Sequence, residues 1–392
     1  MPAFNPPPLD PRLAELLTDY PPHLFTEQFY QSVELTDRYC LDLAIELLQR
    51  LDIALALKAW HSVDGLCRQL DFSPRFRAAL EWLLARVAVA DLVEISEEDG
   101  ARSYRLTGEL PPSQLVELRQ TGLAIDPANA ATLDLLDAAA AAYPTVARGT
   151  ANGEQALFGM GQLGLWLAYF HNGNPTYAVN NWVGAMACVP RLAEKARFRI
   201  LELGAGAGSG TSILLQVLNE QGLLDRLECY RVTEPNAFFR RRGERELKAR
   251  YPDVALEFRA LDIDRPWEEQ DVARDGFDLV YGVNVLHVAT DLVFSLKEAR
   301  ATLAPSGWLV IGECLRQFPG QPIYAELIFK ILDGFSEVKT DPEIRPEPGF
   351  LTPWQWQRAF ARAGFEQIGL SPDQERIRAI YPRFFTGAIW GR

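Results

Sequence analysis

The segment that most constrains the fold of this chain is a glycine-rich turn between a predicted strand and a predicted helix. It reads Leu201-Glu202-Leu203-Gly204-Ala205-Gly206-Ala207-Gly208-Ser209-Gly210, and the helix is predicted over Thr211–Asn219. Glycines at such a junction permit a tight turn and let a ligand lie against the backbone. The sequence therefore predicts an open α/β sheet with a ligand site at Gly204, Gly206 and Gly208.

The rest of the second half of the chain supports this interpretation. From Phe198 onward apolar strands alternate with amphipathic helices, as a parallel sheet with crossover helices requires. Five strands are predicted, at Arg199–Leu203, Cys229–Thr233, Leu256–Ala260, Phe277–Val283 and Trp308–Glu313. Two later segments, Phe365–Leu370 and Phe384–Trp390, are predicted to pair antiparallel. The predicted fold class is α/β, a Rossmann-like seven-stranded sheet with a closing antiparallel hairpin.

Carboxylates follow the first three predicted strands. A negative charge at Glu202, just before the first glycine, would repel a pyrophosphate and attract the ammonium of a methionine moiety. Glu234 is placed to bond ribose hydroxyls, as acids do in dinucleotide folds. Asp262 can accept the adenine amino group, and Ile263 can cover the ring. Each acid alone is most simply a solvated loop residue, but three at successive strand ends predict S-adenosylmethionine as the cofactor.

The first half of the chain is predicted to be mainly helical. An arm rich in proline and aromatic residues covers 1–35, and a winged-helix-like domain of three helices and a hairpin covers 36–115. A helical linker and substrate cap is predicted over 116–195, and the cofactor-binding domain over 196–392. A winged helix either reads DNA or forms a dimerisation and substrate-lid module. A DNA reader needs a basic stripe, whereas acidic residues outnumber basic ones here, so we expect no nucleic-acid partner.

An aromatic-rich stretch, Leu157–Trp182, lies within the predicted cap. One interpretation is a packed helix face. The other is a lid over an apolar substrate pocket, with Tyr169, Tyr177 and Trp182 as candidate substrate contacts.

The composition of the chain indicates which partners and which cellular compartment to expect. The net charge of -13 disfavours binding to phosphate backbones. The five cysteines form no CxxC pair, so neither a metal site nor a disulfide framework is expected. The N-terminus has no signal-peptide pattern, and no apolar stretch reaches the roughly 18 residues of a membrane span. We expect a cytoplasmic protein that does not bind membranes.

The motifs together resemble the C-methyltransferase domains of polyketide synthases over roughly residues 130–392. The matching blocks are Ile200–Gly206, Leu261–Asp264, Phe277–Val280, Asn284–His287 and Leu303–Gly307. Glu234 stands where that family usually has aspartate, and Ser306 replaces a glycine. The N-terminal region instead resembles the winged-helix domain of small-molecule O-methyltransferases, which implies a homodimer. Both resemblances place a functional histidine at His287, and the polyketide family pairs it with the residue matching Glu313.

The predicted chemistry is methyl transfer to a small biosynthetic substrate, free or bound to a carrier protein. The methyl donor is already activated, so the enzyme mainly orients the acceptor and removes its proton. A histidine titrates near neutral pH, and His287 follows the fourth predicted strand. Glu313 ends the fifth and can hold the imidazole tautomer. Asn284 is predicted to contact the cofactor or the acceptor.

Four functions stay open at this point. The leading one is C-methylation next to a carbonyl, and the second is O-methylation of a phenol or another hydroxyl with the same base. A third is a regulator or binding protein that kept the cofactor fold. A dehydrogenase uses a similar glycine loop, but Glu202 argues against its pyrophosphate.

Overall fold

The computed structural model describes residues 4–6, 8–98, 100–159 and 161–392. Residues 1–3 and Pro7 of the predicted arm therefore lie outside the described part. The chain forms two compact units. The helical unit comprises 1–9, 26–169 and 320–337, and the sheet unit comprises 10–25, 170–319 and 338–392.

The described α-helices, numbered along the chain, are α1 (Arg12–Leu16), α2 (Glu27–Arg50), α3 (Ile53–Ala56), α4 (Val63–Gln69), α5 (Arg77–Ala88), α6 (Leu115–Ile125), α7 (Ala130–Ala147), α8 (Gly153–Phe158), α9 (Leu163–Tyr169), α10 (Pro175–Leu192), α11 (Ser209–Glu220), α12 (Ala237–Arg250), α13 (Leu292–Thr302), α14 (Glu326–Phe329), α15 (Asp333–Ser336), α16 (Pro353–Ala363) and α17 (Gln374–Arg378). None of the described helices combines the length and the apolar composition needed to cross a bilayer.

The described strands are β1 (His61–Ser62), β2 (Val93–Glu98), β3 (Ala101–Leu106), β4 (Phe198–Leu203), β5 (Leu227–Thr233), β6 (Leu256–Arg259), β7 (Phe277–Val283), β8 (Leu303–Cys314), β9 (Gly369–Ser371) and β10 (Thr386–Gly391). The small sheet of the helical unit has the order β1-β3-β2, and the large sheet has the order β6-β5-β4-β7-β8-β10-β9.

The large sheet confirms the predicted fold class. Strands β4 to β8 are parallel, while β10 pairs antiparallel with both β8 and β9. The chain runs outward from β4 to β6 and then returns to the other side of β4 with β7. The order of strands thus reverses between β4 and β7, and open α/β sheets bind ligands at such a reversal.

The predicted boundaries of one helix and of one late strand were wrong for local reasons. Helix α2 begins at Glu27 rather than near residue 36, because Thr26 caps it and its aromatic residues Phe29 and Tyr30 are buried. The strand predicted at Phe365–Leu370 is confined to β9, since Phe365 packs into the core directly after the glycine that ends α16.

The helical unit contains helices followed by a β-hairpin, in the predicted order. The β2–β3 ladder runs from Val93↔Leu106 to Glu98↔Ala101, and β1 extends the sheet through His61↔Tyr104. The segment 320–337 completes the unit: Tyr143 on α7 donates a hydrogen bond to the carbonyl of Leu327, and Trp82 on α5 donates to Glu326. The four domains predicted from the sequence stay a prediction. The boundaries of the two units fall at other residues.

One core cluster of the sheet unit forms where α13 packs against β7 and β8 and where α16 packs against α13 and β10. Trp267, Trp356 and Phe360 are among its buried side chains. A capping box at Thr352 and Gln355 fixes the start of α16. This packing holds the carboxyl ends of the parallel strands in place.

Candidate active site

The glycine loop adopts the conformation that its residues predict. Gly204, Gly206 and Gly208 all have positive φ angles, of 54°, 55° and 88°. A Cβ on Gly208 would lie 2.5 Å from Leu247 Cδ1 of α12, whereas a Cβ on Gly206 would meet no atom within 4 Å. Gly208 is therefore required by packing, and Gly206 leaves space in which a ligand can approach the backbone.

Glu202 lies beside this loop but is only 2% exposed. Its Oε2 accepts hydrogen bonds from Thr211 Oγ1 at 2.6 Å and from the Tyr230 hydroxyl at 2.7 Å. Burial raises the pKa of Glu202 to about 7, against the opposing effect of these hydrogen bonds. The carboxylate is thus held by α11 and β5. Thr211 and Tyr230 were not predicted as partners of Glu202, because no spacing pattern in the sequence marks either residue.

Glu234 connects the loop to the next helix. Its Oε2 accepts from the backbone N–H of Gly206 at 2.9 Å, and its Oε1 accepts from that of Asn236 at 2.8 Å. Burial raises the pKa of Glu234, while these two backbone donors act in the opposite direction. The acid thus fixes the position of Gly206 at the end of β5.

Asp262 lies exposed past the end of β6, where its Oδ1 accepts from the backbone N–H of Asp264. Ile263 is half-buried against the core of the sheet unit. Three carboxylates therefore stand at the ends of β4, β5 and β6, and that of Glu234 contacts the backbone of Gly206. This arrangement fits a ligand with a cationic end, as a sulfonium bearing an amino-acid ammonium would be.

Asn284 ties together the ends of β7 and β8. It has a left-handed backbone, with φ 52°, and its N–H donates to the carbonyl of Gly312. Its side-chain Oδ1 accepts from the N–H of Cys314 at 2.9 Å. The described contacts of Asn284 therefore align the two strand ends, and its predicted contact with cofactor or acceptor stays a prediction.

His287 and Glu313 meet at those two strand ends. His287 Nδ1 and Glu313 Oε2 are 2.8 Å apart, and the residues are 4% and 0% exposed. The pairing follows from the register, because Val283 at the end of β7 lies opposite Gly312 of β8. The ring of Phe350 lies 4.5 Å from the imidazole. If Nδ1 donates to the carboxylate, Nε2 is the basic nitrogen, as in a catalytic triad.

Glu313 has a second feature that sequence cannot reveal. Its Oε1 is buried, and it has no hydrogen-bond partner among the residues that the structure describes. A buried carboxylate oxygen without a partner is costly, which makes such groups more common at functional sites than elsewhere.

Arg345 holds the turn that carries His287. The residue is 2% exposed, and its guanidinium donates to the carbonyls of Ala289 at 2.7 Å, of Thr290 at 2.8 Å and of His287 at 3.4 Å. Burial lowers the pKa of Arg345 to about 10. Sequence reasoning missed it, because it lies in a proline-rich stretch that predicts only a loop.

The three predicted substrate contacts lie in different surroundings. Tyr177 is half-buried, hydrogen-bonded to Ser209 at the start of α11, and burial raises its pKa to about 12. Trp182 is buried edge-on against His23, and Tyr169 packs against Trp166 within the helical unit. The structure thus brings Tyr177 to the glycine loop, while the described contacts of the other two are packing contacts.

Helix α10 brings further polar side chains to the loop. Asn172, just before this helix, donates to the carbonyl of Ser209, and Asn181 donates to Asn172. Asn181 Oδ1 is buried without a hydrogen-bond partner in the described part of the chain, about 3.6 Å from where a Cβ on Gly210 would stand. Across the described ranges, no cluster of three or more histidine, cysteine or acidic side chains is arranged to hold a metal.

Comparisons with known proteins agree with this geometry. Residues 201–309 match a family described as a methyltransferase domain. A highly reducing polyketide synthase of Alternaria alternata is 36% identical over 177 residues, which cover 45% of this chain and 6% of that protein. The chain spans only 6 to 10% of the length of this and two similar synthases.

Solved structures match nearly the whole chain. The CurJ carbon methyltransferase has a TM-score of 0.78 and 25% identity, covering 97% of this chain and 96% of that one. The DszA carbon methyltransferase has a TM-score of 0.73 and 26% identity, covering 97% and 92%.

Proposed function

We propose that this chain, which carries a class I, S-adenosylmethionine-dependent methyltransferase domain related to the carbon methyltransferase domains of polyketide synthases, methylates an acidic carbon next to a carbonyl. The observation that carries the proposal is the buried contact of 2.8 Å between His287 and Glu313. This pair stands at the ends of β7 and β8, at the same edge of the sheet as the glycine loop. A base is needed there because a carbon acid must lose its proton to react.

His287 is the proposed general base. Its Nε2 takes the proton from the acceptor carbon, and Glu313 stabilises the imidazolium that forms. Arg345 keeps the backbone of the His287 turn in place through its carbonyl contacts. Since the pair is buried, the charge that develops on it is screened little by water.

The cofactor is proposed to lie along the carboxyl ends of β4, β5 and β6. The open side of Gly206 and the nearby Glu202, Glu234 and Asp262, with Ile263 beside them, would hold it. When bound, S-adenosylmethionine supplies an activated methyl group. Asn284 and Tyr177 are proposed to line the acceptor side of this site.

A labelling experiment tests the acceptor atom. The full chain is incubated with a methyl-deuterated donor and a β-ketoacyl thioester as the probe, and the product is analysed by NMR. We expect the label on the carbon between the two carbonyl groups. A label on oxygen would contradict the proposal and identify an O-methyltransferase. A chain that binds the donor, and whose acceptor chemistry is indifferent to His287→Ala, would be a binding protein instead.

The setting of the reaction is also proposed. The substrate is a small secondary-metabolite or polyketide-like compound, either free or bound to a carrier protein. The five free cysteines fit a reducing cytoplasm. Residues 36–115 would form a winged-helix-like dimerisation domain, which is supported by the helix–hairpin order and by the exposed apolar residues Leu55, Trp60, Val89 and Ile95. Sedimentation of the full chain and of an Ile95→Lys variant tests the dimer. A wild-type dimer that this change dissociates supports the proposal, and any other result contradicts it.

A further inference from the structure

Two buried oxygen atoms from different elements face the first turn of α11 at Gly210. A Cβ placed on this glycine would lie 3.0 Å from Glu202 Oε1 of β4 and 3.6 Å from Asn181 Oδ1 of α10. Glu202 is 2% exposed and Asn181 is 0% exposed. Because residue 210 has no side chain, a small space stays open beside these two hydrogen-bond acceptors, and it is called the Gly210 space below.

The hydrogen-bond network fixes which end of the Asn181 amide faces the Gly210 space. The carbonyl of Ser209 can only accept, so Asn172 donates its Nδ2 to it at 2.9 Å. Asn172 Oδ1 is then left to accept, and Asn181 Nδ2 donates to it at 2.8 Å. Asn181 Oδ1 consequently faces Gly210, and it has no hydrogen-bond partner among the residues that the structure describes.

The carboxylate of Glu202 is divided in the same way. Its Oε2 accepts from the hydroxyl groups of Thr211 and Tyr230, so Oε1 is the oxygen on the side of Gly210. Two buried acceptors that share one space carry negative charge of the same sign and repel each other. They are compensated when a proton or a cation that donates hydrogen bonds lies between them.

The surroundings indicate which cation this is. The Gly210 space adjoins the glycine loop, where the cofactor is proposed to lie, and S-adenosylmethionine carries an α-ammonium group with N–H donors. The first turn of α11 carries partial positive charge, which opposes a cation. An ammonium group is therefore held here only when Glu202 is ionised, because its full negative charge exceeds the partial charge of the helix end.

The free chain holds Glu202 ready for this change of charge. Burial raises the pKa of Glu202 to about 7. The other titratable groups that face it are Tyr230 of β5, Tyr281 of β7, and Tyr177 and Cys188 of α10. Burial raises the pKa of each of these four groups, so they are neutral at pH 7. Among these five groups, Glu202 is thus the one that exchanges a proton near neutral pH.

We propose that Asn181 helps to select the methyl donor: its Oδ1 and Glu202 Oε1 together hold the α-ammonium group, which takes the place of a proton that Glu202 releases to solvent. The inference deepens the proposed function and rests on it for the position of the cofactor only, not for the acceptor atom. A ligand that lacks the amino group leaves both oxygens as they are in the free chain. The pair therefore favours ligands with an amino-acid tail over other adenosyl thioethers.

Calorimetry of the full chain tests this selection with two probes, S-adenosylhomocysteine and its analogue without the amino group. Asn181→Leu keeps a branched side chain and removes Oδ1. We expect it to weaken binding of S-adenosylhomocysteine about tenfold or more, since hydrogen bonds to charged groups are the stronger ones, and binding of the analogue by less than about twofold. A purely structural role of Asn181 would weaken the binding of both ligands equally.

The matched control is Asn180→Leu, the same change at the preceding residue of α10. Asn180 bonds to Thr386 and Cys314 and not to the glycine loop, so any loss in this variant should be equal for the two ligands.

Gly210→Ala is a second variant, and it leaves the asparagine network in place. Its methyl group would stand 3.0 Å from Glu202 Oε1, within the Gly210 space. Alanine suits a helix, so we expect the chain to fold and to lose affinity for S-adenosylhomocysteine more than for the analogue.

Proton release identifies Glu202 as the partner. Titrations at pH 6 in buffers of different ionisation enthalpy should show about one proton released per S-adenosylhomocysteine bound, and none for the analogue or for Glu202→Gln. Equal losses for the two ligands in Asn181→Leu, or binding of S-adenosylhomocysteine without proton release, would overturn the proposal. A chain that does not bind S-adenosylhomocysteine would refute the cofactor position and this inference together, whereas methylation of oxygen would refute only the proposed acceptor.

Discussion

At the scale of single residues, His287 and Glu313 are the most direct test of the chemistry. His287→Ala removes the proposed base, so we expect kcat to fall by about 100-fold or more, since general-base catalysis contributes roughly 10²–10⁴-fold. Glu313→Gln keeps the side-chain shape and loses the charge that stabilises the imidazolium, so its loss should be smaller. Steady-state kinetics measures both changes.

The control for these two variants is donor binding. Neither residue is proposed to hold the cofactor, so calorimetric affinity for S-adenosylmethionine should stay within about twofold of wild type. An unchanged kcat in His287→Ala, with normal folding, would refute the role of the base.

Glu202 gives a pH prediction. Burial raises its pKa to about 7 from an ordinary 4.5, so between these pH values the folded chain binds more protons than the unfolded chain. The contribution of this group to the free energy of unfolding therefore falls as pH rises from 4.5 to 7, by on the order of 3 kcal/mol. Glu202→Gln removes this dependence, so the variant should gain stability relative to wild type on going from pH 5 to pH 8.

Urea unfolding at several pH values measures this difference. Glu228→Gln, which changes an exposed carboxylate on β5, is the matched control and should follow wild type. Parallel curves for Glu202→Gln and Glu228→Gln would show that Glu202 is not the titrating group.

At the scale of elements, strand β7 was predicted accurately and the start of strand β8 was not. Strand β7 was predicted with its observed bounds, because its apolar residues are buried on both faces of a parallel sheet and leave an unbroken hydrophobic run. Strand β8 begins five residues earlier than predicted, at Leu303 rather than Trp308, because Leu303 pairs with Phe277 and a register shift carries the strand on to the pair Leu279↔Trp308. Pairing across strands of this kind is a tertiary effect that local patterns do not report.

The site shows the same division. The pairing of His287 with Glu313 followed from two strand ends that the periodicity located. Arg345, Thr211 and Tyr230 were missed, since their importance comes from what they contact after folding, and Arg345 lies about 60 residues beyond the turn that it holds. Spacing along the chain predicts the side chains at strand ends far better than it predicts the residues that hydrogen-bond to those side chains or to their backbone.

The glycine loop offers a matched pair of variants. Gly208→Ala places a Cβ 2.5 Å from Leu247 at a φ of 88°, and we expect it to cost about 1–3 kcal/mol of stability from strain and overpacking. Gly206→Ala meets open space, so only the backbone strain of about 1–2 kcal/mol applies.

Chemical denaturation and donor titration together check this pair. Gly206→Ala should reduce the free energy of S-adenosylmethionine binding more than the free energy of unfolding, because its new methyl group enters the proposed cofactor space. Gly208→Ala should reduce the free energy of unfolding more than that of binding. Equal effects on affinity would mean that the open side of Gly206 is not where the cofactor lies.

At the scale of the whole molecule, the helical unit depends on a segment that follows the fifth parallel strand. Residues 320–337 contribute the fully buried Glu326 and the carbonyl that accepts from Tyr143. Tyr143→Phe removes that donor and should lower the free energy of unfolding by about 1 kcal/mol. The change should appear in the transition reported by tryptophans of the helical unit, such as Trp82 and Trp166. Unchanged unfolding of this unit would show that the hydrogen bond does not stabilise it.

The interleaving of the two units also limits how such a protein can be recombined. The chain passes from one unit to the other at residues 9/10, 25/26, 169/170, 319/320 and 337/338. No single crossover in the gene can therefore exchange one unit for a homologous one and leave the other whole. A chimaera that keeps both cores must take the three stretches of one unit from one parent and the three stretches of the other unit from the other parent.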